Sequence, residues 1–298
     1  MLGHVLGSNQ FAEVDGNGVT QEMHSGEPTR VVKKNYFENI TLVPHIVSTT
    51  PRVIYYENFL TGDECAYLKR VAPTLSGWDD SLAFNSVYFP DSAFFTDEIV
   101  NRLEWRIASV TGIMPHRNQE SLCIHKITAE PNLKTRVADI HHDKANKPWT
   151  TVTVLMYLED TELGGETVFP CNLNKSTSAL CQKSFAGKAR WHNGKRTVVE
   201  GVIHYAGANN NDKKSAVDEE MGKLREATSE FCARSFAQDD SSTGEVSDSV
   251  YIKGVKKEGR GALKVKPKKG SAIVFWHDYP GSSGYSAGDS LAWHTGCK

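Results

Sequence analysis

The residues with the clearest chemical potential are the triplet His141-His142-Asp143 and a lone histidine near the end of the chain, His294. Along an extended strand successive side chains alternate faces, so His141 and Asp143 point one way and His142 the other. With His294 supplying a second imidazole, two imidazoles and one carboxylate would sit on one side of a metal. That is the facial triad that holds non-haem Fe(II) and leaves positions open for substrate and oxygen. By the same alternation His142 is a non-ligand, and the adjacent pair His277-Asp278 reads as a loop pair. A His-x-Asp triplet alone also describes a surface or core histidine beside a turn aspartate. Its weight comes from position, just ahead of the strongest strand pattern in the chain.

Rigid elements must hold such ligands. Thr150 to Leu158 is that strongest strand: Val152, Val154, Met156 and Leu158 share one face, opposite Thr151, Thr153, Leu155 and Tyr157. Both faces are largely apolar or aromatic, as in a strand buried between two sheets. Leu163-Gly164-Gly165 turns the chain, Glu166-Thr167-Val168-Phe169 returns, and Pro170 ends the strand. Pro267 to Gly270 makes a further turn into a strand over 271–276, and His294 follows Asp289-Ser290-Leu291-Ala292-Trp293. Upstream, Arg52 to Tyr56 is β-rich. Thr61-Gly62-Asp63-Glu64 is a capping box opening a helix that carries Cys65, Leu68 and Val71 and stops at Pro73. A second helix over about 96–110 buries Ile99, Leu103, Ile107 and Val110, with Gly112 placed as its C-terminal cap. Helices followed by short strands with tight turns predict an α+β fold, a double-stranded β-helix (jelly roll) core with N-terminal supporting helices.

The organisation expected is a loosely ordered extension over 1–50 and one domain over 51–298, interrupted by a long flexible insertion at 171–262. In that insertion Asn209 to Lys214 and Asp239 to Ser242 have solvated loop compositions, and Val217, Met221 and Leu224 mark a short helix. A net charge of −2 gives no electrostatic reason to expect nucleic acid. Lys264, Lys266, Lys268 and Lys269 read as the solvated face of an edge strand. No apolar run reaches ~18 residues, so no membrane span is expected. The start of the chain lacks the pattern of a secretory signal, which reads as cytoplasmic, or as endoplasmic reticulum if the N-terminus is incomplete. The six cysteines form no Cys-x-x-Cys pair, which argues against structural zinc. Cys65 reads as an inert buried thiol, and disulfides among Cys171, Cys181 and Cys232 are possible without being indicated.

Several segments carry a resemblance to a known family. Tyr157-Leu158-Glu159-Asp160 leading into Gly164-Gly165-Glu166-Thr167-Val168-Phe169-Pro170 closely resembles the core of the prolyl 4-hydroxylases. So do Val265 to Trp276 and then Asp289 with His294-Thr295-Gly296-Cys297, and, upstream, Tyr56 to Thr61 with Glu64-Cys65. The resemblance spans about 50–170 and 262–298. It implies an enzyme using Fe(II), oxygen and 2-oxoglutarate as cosubstrate, with L-ascorbate keeping iron reduced and a proline-containing protein or peptide as substrate. Carried over by position, His141, Asp143 and His294 are the iron ligands, and Phe84 to Phe89 lies near the peptide groove.

The match breaks at two places. The family places a lysine about ten residues past the distal histidine, against the far carboxylate of 2-oxoglutarate, and a tryptophan-bearing strand after it. This sequence ends at Lys298, four residues past His294, so the expectation is an incomplete chain with one unpaired sheet edge. The family's tyrosines ahead of the triad are also missing from 126–129 and 136–139. A jelly-roll module that binds without turnover, or a same-fold dioxygenase acting on another substrate, therefore stays open.

Overall fold

The computed structural model describes residues 2–7, 40–115, 119–128, 140–146, 150–185, 188–192, 195–199, 211–234, 254–258, 261–278 and 289–298. Its first half carries β1 (Leu2–Gly7), β2 (His45–Thr49), β3 (Arg52–Tyr56), α1 (Gly62–Val71), β4 (Phe84–Tyr88), α2 (Ala93–Thr96), α3 (Glu98–Thr111), β5 (Cys123–Ile127) and α4 (Asp143–Asn146). Then come β6 (Val152–Tyr157), β7 (Thr167–Phe169), α5 (Lys175–Phe185), β8 (Lys188–His192), β9 (Lys195–Val199) and α6 (Asn211–Ala233). The last four strands are β10 (Val255–Glu258), β11 (Ala262–Val265), β12 (Ala272–Trp276) and β13 (Thr295–Gly296). Mixed helices and antiparallel sheets make this an α+β fold, as the sequence pattern predicts.

Seven strands form one sheet in the order β2-β3-β12-β6-β1-β5-β4, and four form a second in the order β10-β11-β7-β13. Strand alternation sorts the residues of the large sheet between two cores. Val152, Val154, Met156, Ala272 and Val274 join Cys65 and Leu68 of α1 and Val100, Leu103 and Ile107 of α3. Leu155, Tyr157, Ile273 and Phe275 face the other way and meet Phe169, Leu263 and Val265 of the small sheet. Every residue of β6 is buried. The expectation of a sheet on both sides of it is corrected: helices cover one face and the small sheet the other. At the turn into β12, Gly270 has a positive φ of 83°, and a Cβ there would lie 2.7 Å from the Leu60 carbonyl oxygen. Only glycine fits without displacing backbone.

The Thr61 and Gly112 caps fall where the sequence places them, while α3 starts at Glu98 behind Asp97, a cap the sequence reading did not single out. The Thr61 hydroxyl accepts from the Glu64 N–H and the Glu64 carboxylate accepts from the Thr61 N–H, completing the capping box of α1. The Asp97 carboxylate accepts from the N–H groups of Ile99 and Val100 at the start of α3, and Gly112 closes it in the left-handed region. Glu64 also receives both terminal nitrogens of the fully buried Arg106, at 2.8 and 2.9 Å, and the Arg102 Nε at 3.0 Å. One carboxylate thus caps α1 and fastens it to α3.

Three expectations change. Within the 1–50 extension, β1 lies inside the large sheet between β5 and β6, and β2 pairs with β3. Leu2 to Gly7 is too short and too glycine-rich for its alternation to register as a strand signal. Within the 171–262 insertion, α5 and α6 are helices and two disulfides form, Cys171–Cys181 and Cys232–Cys297. Lys264 is buried rather than solvated, because β11 lies between β10 and β7 and is no edge. Its ammonium donates to the carbonyls of Phe231 and Arg234 at the end of α6. The loop composition at 239–242 and the approach segment 136–139 lie outside the described residues. Among those described, no helix is long and apolar enough to cross a membrane.

Burial pushes the Glu64 carboxyl up, but hydrogen bonds and charge from Arg106, with help from Thr61 and Arg102, pull it below the usual carboxylate range. A depressed acid stabilises the fold above its unfolded pKa and loses that contribution as pH falls through the folded value. Glu64→Gln should cost about 3–5 kcal/mol in urea unfolding at neutral pH, since it leaves a buried guanidinium without its counter-charge. The same variant should flatten the acid limb of the stability profile.

Candidate metal centre

His141 and His294 meet through their backbones. The His141 N–H donates to the His294 carbonyl at 3.0 Å, and the His294 N–H returns to the His141 carbonyl at 2.9 Å, an isolated antiparallel bridge. Residues directly opposite in such a pair project to the same side. The two imidazoles accordingly lie side by side, with ring centroids 4.4 Å apart.

Asp143 arrives differently from the strand alternation expected. The chain leaves the bridge and Asp143 opens the helical turn α4, so a turn and not a pleat brings the carboxylate back. The result is the predicted grouping: ligand atoms of His141, Asp143 and His294 all lie within 4.8 Å of one another. Asp143 Oδ1 is 3.5 Å from His141 Nε2 and 3.6 Å from His294 Nε2, beyond ordinary hydrogen-bond reach. Its Oδ2 points away, to the Thr153 hydroxyl at 2.6 Å and His277 Nε2 at 3.1 Å.

The donor set suits a divalent metal. His294 Nδ1 lies 3.0 Å from the Ala292 carbonyl, the outer hydrogen bond that fixes the tautomer of a ligating histidine and turns the Nε2 lone pair inward. Burial, with the neighbouring His141 and His277 adding to it, holds His294 down to about 3 against the pull of Asp143. Its imidazole is therefore neutral and able to coordinate. Rings of Phe275 and Phe169 lie 4.8 and 5.8 Å from the His294 ring, lining that side with hydrocarbon.

His142 is fully buried and directed elsewhere. Its Nε2 meets the Asp289 carbonyl at 3.0 Å and its Nδ1 accepts from the Lys144 N–H at 3.2 Å. With both nitrogens engaged it is no ligand, as alternation predicts. The reading of His277-Asp278 as a loop pair is corrected. His277 is fully buried beside Asp143, and Asp278 pairs with Lys144 at 2.8 Å in the interior. The signal was present: Ile273 and Phe275 face the core, so His277 two residues on continues the same row. Thr153 was missed in the same way, as the polar member of the inward row of β6.

The segments carrying His141 and His294 rest on residues of α5, α6 and the turn after β7. Ile140 and Trp293, each one residue before a histidine of the bridge, join Cys171, Cys181, Met221 and Leu224 in one buried cluster. The Cys232–Cys297 disulfide ties the end of α6 to the strand that follows His294.

Comparison with curated proteins gives relatives that share one description. From Arabidopsis thaliana, "Probable prolyl 4-hydroxylase 7" is 33% identical over 144 residues, 44% of this chain and 45% of that protein. "Prolyl 4-hydroxylase 5" is 32% identical over 143 residues, covering 42% of this chain and 47% of the relative. "Prolyl 4-hydroxylase 1" is 30% identical over 146 residues, covering 43% and 50%. Over these stretches the chain is similar to proteins named prolyl 4-hydroxylases. It spans about half the length of the curated prolyl 4-hydroxylases it matches, and no family profile matches it. The similarity gives the grouped His141, Asp143 and His294 a context: a bridge and a turn that bring three candidate ligands to one point.

The Cys232–Cys297 disulfide closes a loop of sequence separation 65, for which chain entropy suggests about 4 kcal/mol of stabilisation. Converting both cysteines to serine should remove roughly 2–5 kcal/mol in chemical denaturation. Metal affinity should fall with it, because the strand carrying His294 loses its tether.

Proposed function

We propose that this chain is a 2-oxoglutarate- and Fe(II)-dependent dioxygenase that hydroxylates peptidyl proline, in the manner of a procollagen-proline 4-dioxygenase. In this reading the two facing sheets are the walls of a double-stranded β-helix. The observation that carries it is the grouping of His141, Asp143 and His294 around one point in a chain whose relatives are named prolyl 4-hydroxylases. Fe(II) with 2-oxoglutarate and oxygen would supply the oxidising chemistry, coupled to decarboxylation of the keto acid to succinate, with L-ascorbate keeping the iron reduced.

The chain's own part is positional. His141 and His294 offer one imidazole nitrogen each and Asp143 one oxygen, all from one side, which leaves the opposite side open for cosubstrate and oxygen. Phe169 and Phe275 keep water from the His294 side of the centre. The register also supports a substrate shelf. From Tyr157 the pairing runs through Leu2 to His125 and on to Ser86, so these positions share a sheet face with Thr153. On that face β4, the outer strand, exposes Phe84 and Tyr88 at 57% and 50%, with His125 stacked on Phe84. Aromatic side chains on an outer strand suit an extended, proline-bearing peptide.

The two disulfides support work in an oxidising compartment, the endoplasmic reticulum rather than the cytoplasm.

Purified protein should take up Fe(II) and consume 2-oxoglutarate in step with peptide hydroxylation. His141→Ala and His294→Ala should abolish both while circular dichroism shows the fold intact. Activity surviving in either variant would sink the reading. Metal uptake without 2-oxoglutarate consumption would instead favour a binding module. Phe84→Ala with Tyr88→Ala should raise the peptide KM roughly tenfold, the loss of one to two kcal/mol of aromatic contact, and leave metal affinity unchanged.

A further inference from the structure

The candidate metal centre treats the two oxygens of Asp143 unequally. Oδ1 faces both imidazole nitrogens, while Oδ2 is enclosed by two buried groups from two strands. Thr153 comes from β6 and donates its hydroxyl to Oδ2 at 2.6 Å. His277 directly follows β12, and its Nε2 stands 3.1 Å from Oδ2 and 2.8 Å from the Thr153 oxygen. Both residues are fully buried. His277 Nδ1 has no hydrogen-bond partner among the described residues, so its proton belongs on Nε2, where an acceptor is at hand. One position further along each segment, the Lys144 ammonium meets the Asp278 carboxylate at 2.8 Å, nearly enclosed. Asp143-Lys144 and His277-Asp278 therefore bind each other as two consecutive charged or polar pairs.

A carboxylate free to rotate can bind a metal through one oxygen or both. Binding through both would occupy a position that oxygen or a cosubstrate needs. We propose that Thr153 and His277 are positioning residues that hold Oδ2 off the metal, so that Asp143 coordinates through Oδ1 alone and one coordination position stays open. The inference rests on the metal-centre reading above and adds to it two residues and a role.

The test uses Co(II) alone as the probe, read by titration and by its ligand-field absorption, with no turnover required. Thr153→Val keeps the shape and removes the hydroxyl; His277→Phe keeps a ring and removes the N–H. Each should weaken Co(II) binding on the order of 10–100-fold and alter the absorption. His277→Gln, which restores an N–H donor, should bind within a few-fold of the native chain. Val154→Ala, its neighbour on β6 facing the helices, should lower thermal stability and leave Co(II) affinity and spectrum in place. If His277→Phe does not fold, Thr153→Val and His277→Gln decide the matter between them. Native affinity and spectrum in Thr153→Val would overturn the proposal, and so would His277→Gln binding no better than His277→Phe. If the native chain binds Co(II) and His294→Ala does not, while the Thr153 and His277 variants match native, the metal centre stands and this proposal alone fails. A native chain that takes up no Co(II) removes both.

Discussion

Two peptide groups that exchange both of their hydrogen bonds, those of His141 and His294, are the constraint on which the centre depends. Direct opposition in an antiparallel pair fixes the separation and the common direction of two side chains without help from either. The distant sequence positions of the histidines then matter little, because the bridge makes them neighbours. Asp143 needs only a single turn to return its carboxylate to the same point. A facial set of candidate ligands is thus built from one β-bridge and one turn, both backbone features.

The layering of the fold explains why Asp143 can be gripped so firmly. The large sheet has helices behind it and the small sheet in front, so each strand sends alternate residues to a different solid surface. β6 sends Val152, Val154 and Met156 to the helices and Thr153, Leu155 and Tyr157 forward. A hydroxyl in that forward row costs stability unless it is bonded. Thr153 meets the requirement by bonding Asp143, and Tyr157 by donating to the Thr167 hydroxyl at 2.8 Å. The same demand that a buried polar atom find a partner therefore both tolerates Thr153 and orients the ligand.

What could be read from the sequence divides along physical lines. Local signals survived: the Thr61 capping box, the Gly112 cap, the strand over Val152–Tyr157 and the turn at Gly270 each depend on a few adjacent residues. The grouping of His141, Asp143 and His294 was also legible, although for Asp143 the expected geometry was a pleat and the observed one is a turn. His277 looked like a loop residue because it was read only as half of the adjacent pair His277-Asp278, although the inward row of Ile273 and Phe275 in β12 runs on to it. Lys264 was misjudged because its environment is set by α6, whose arrival over β11 no local pattern announces. The disulfides were hidden for the same reason: which cysteines pair is decided by tertiary contacts between segments that periodicity does not relate.

The 171–262 stretch shows how composition can mislead in a consistent direction. Its apolar residues are too few to close a core of their own, and by that measure it should stay unfolded. The structure resolves this by sharing: Leu180, Met221 and Leu224 bury themselves against Ile140 and Trp293, residues that belong to the ligand-bearing segments. Neither side has a complete core without the other. Such coupling is reciprocal by thermodynamic necessity, so whatever firms the His141–His294 bridge also firms the helices behind it, and loosening α5 or α6 loosens the bridge. The stretch that looks most like an appendage in the sequence is in this sense the back wall of the candidate metal centre.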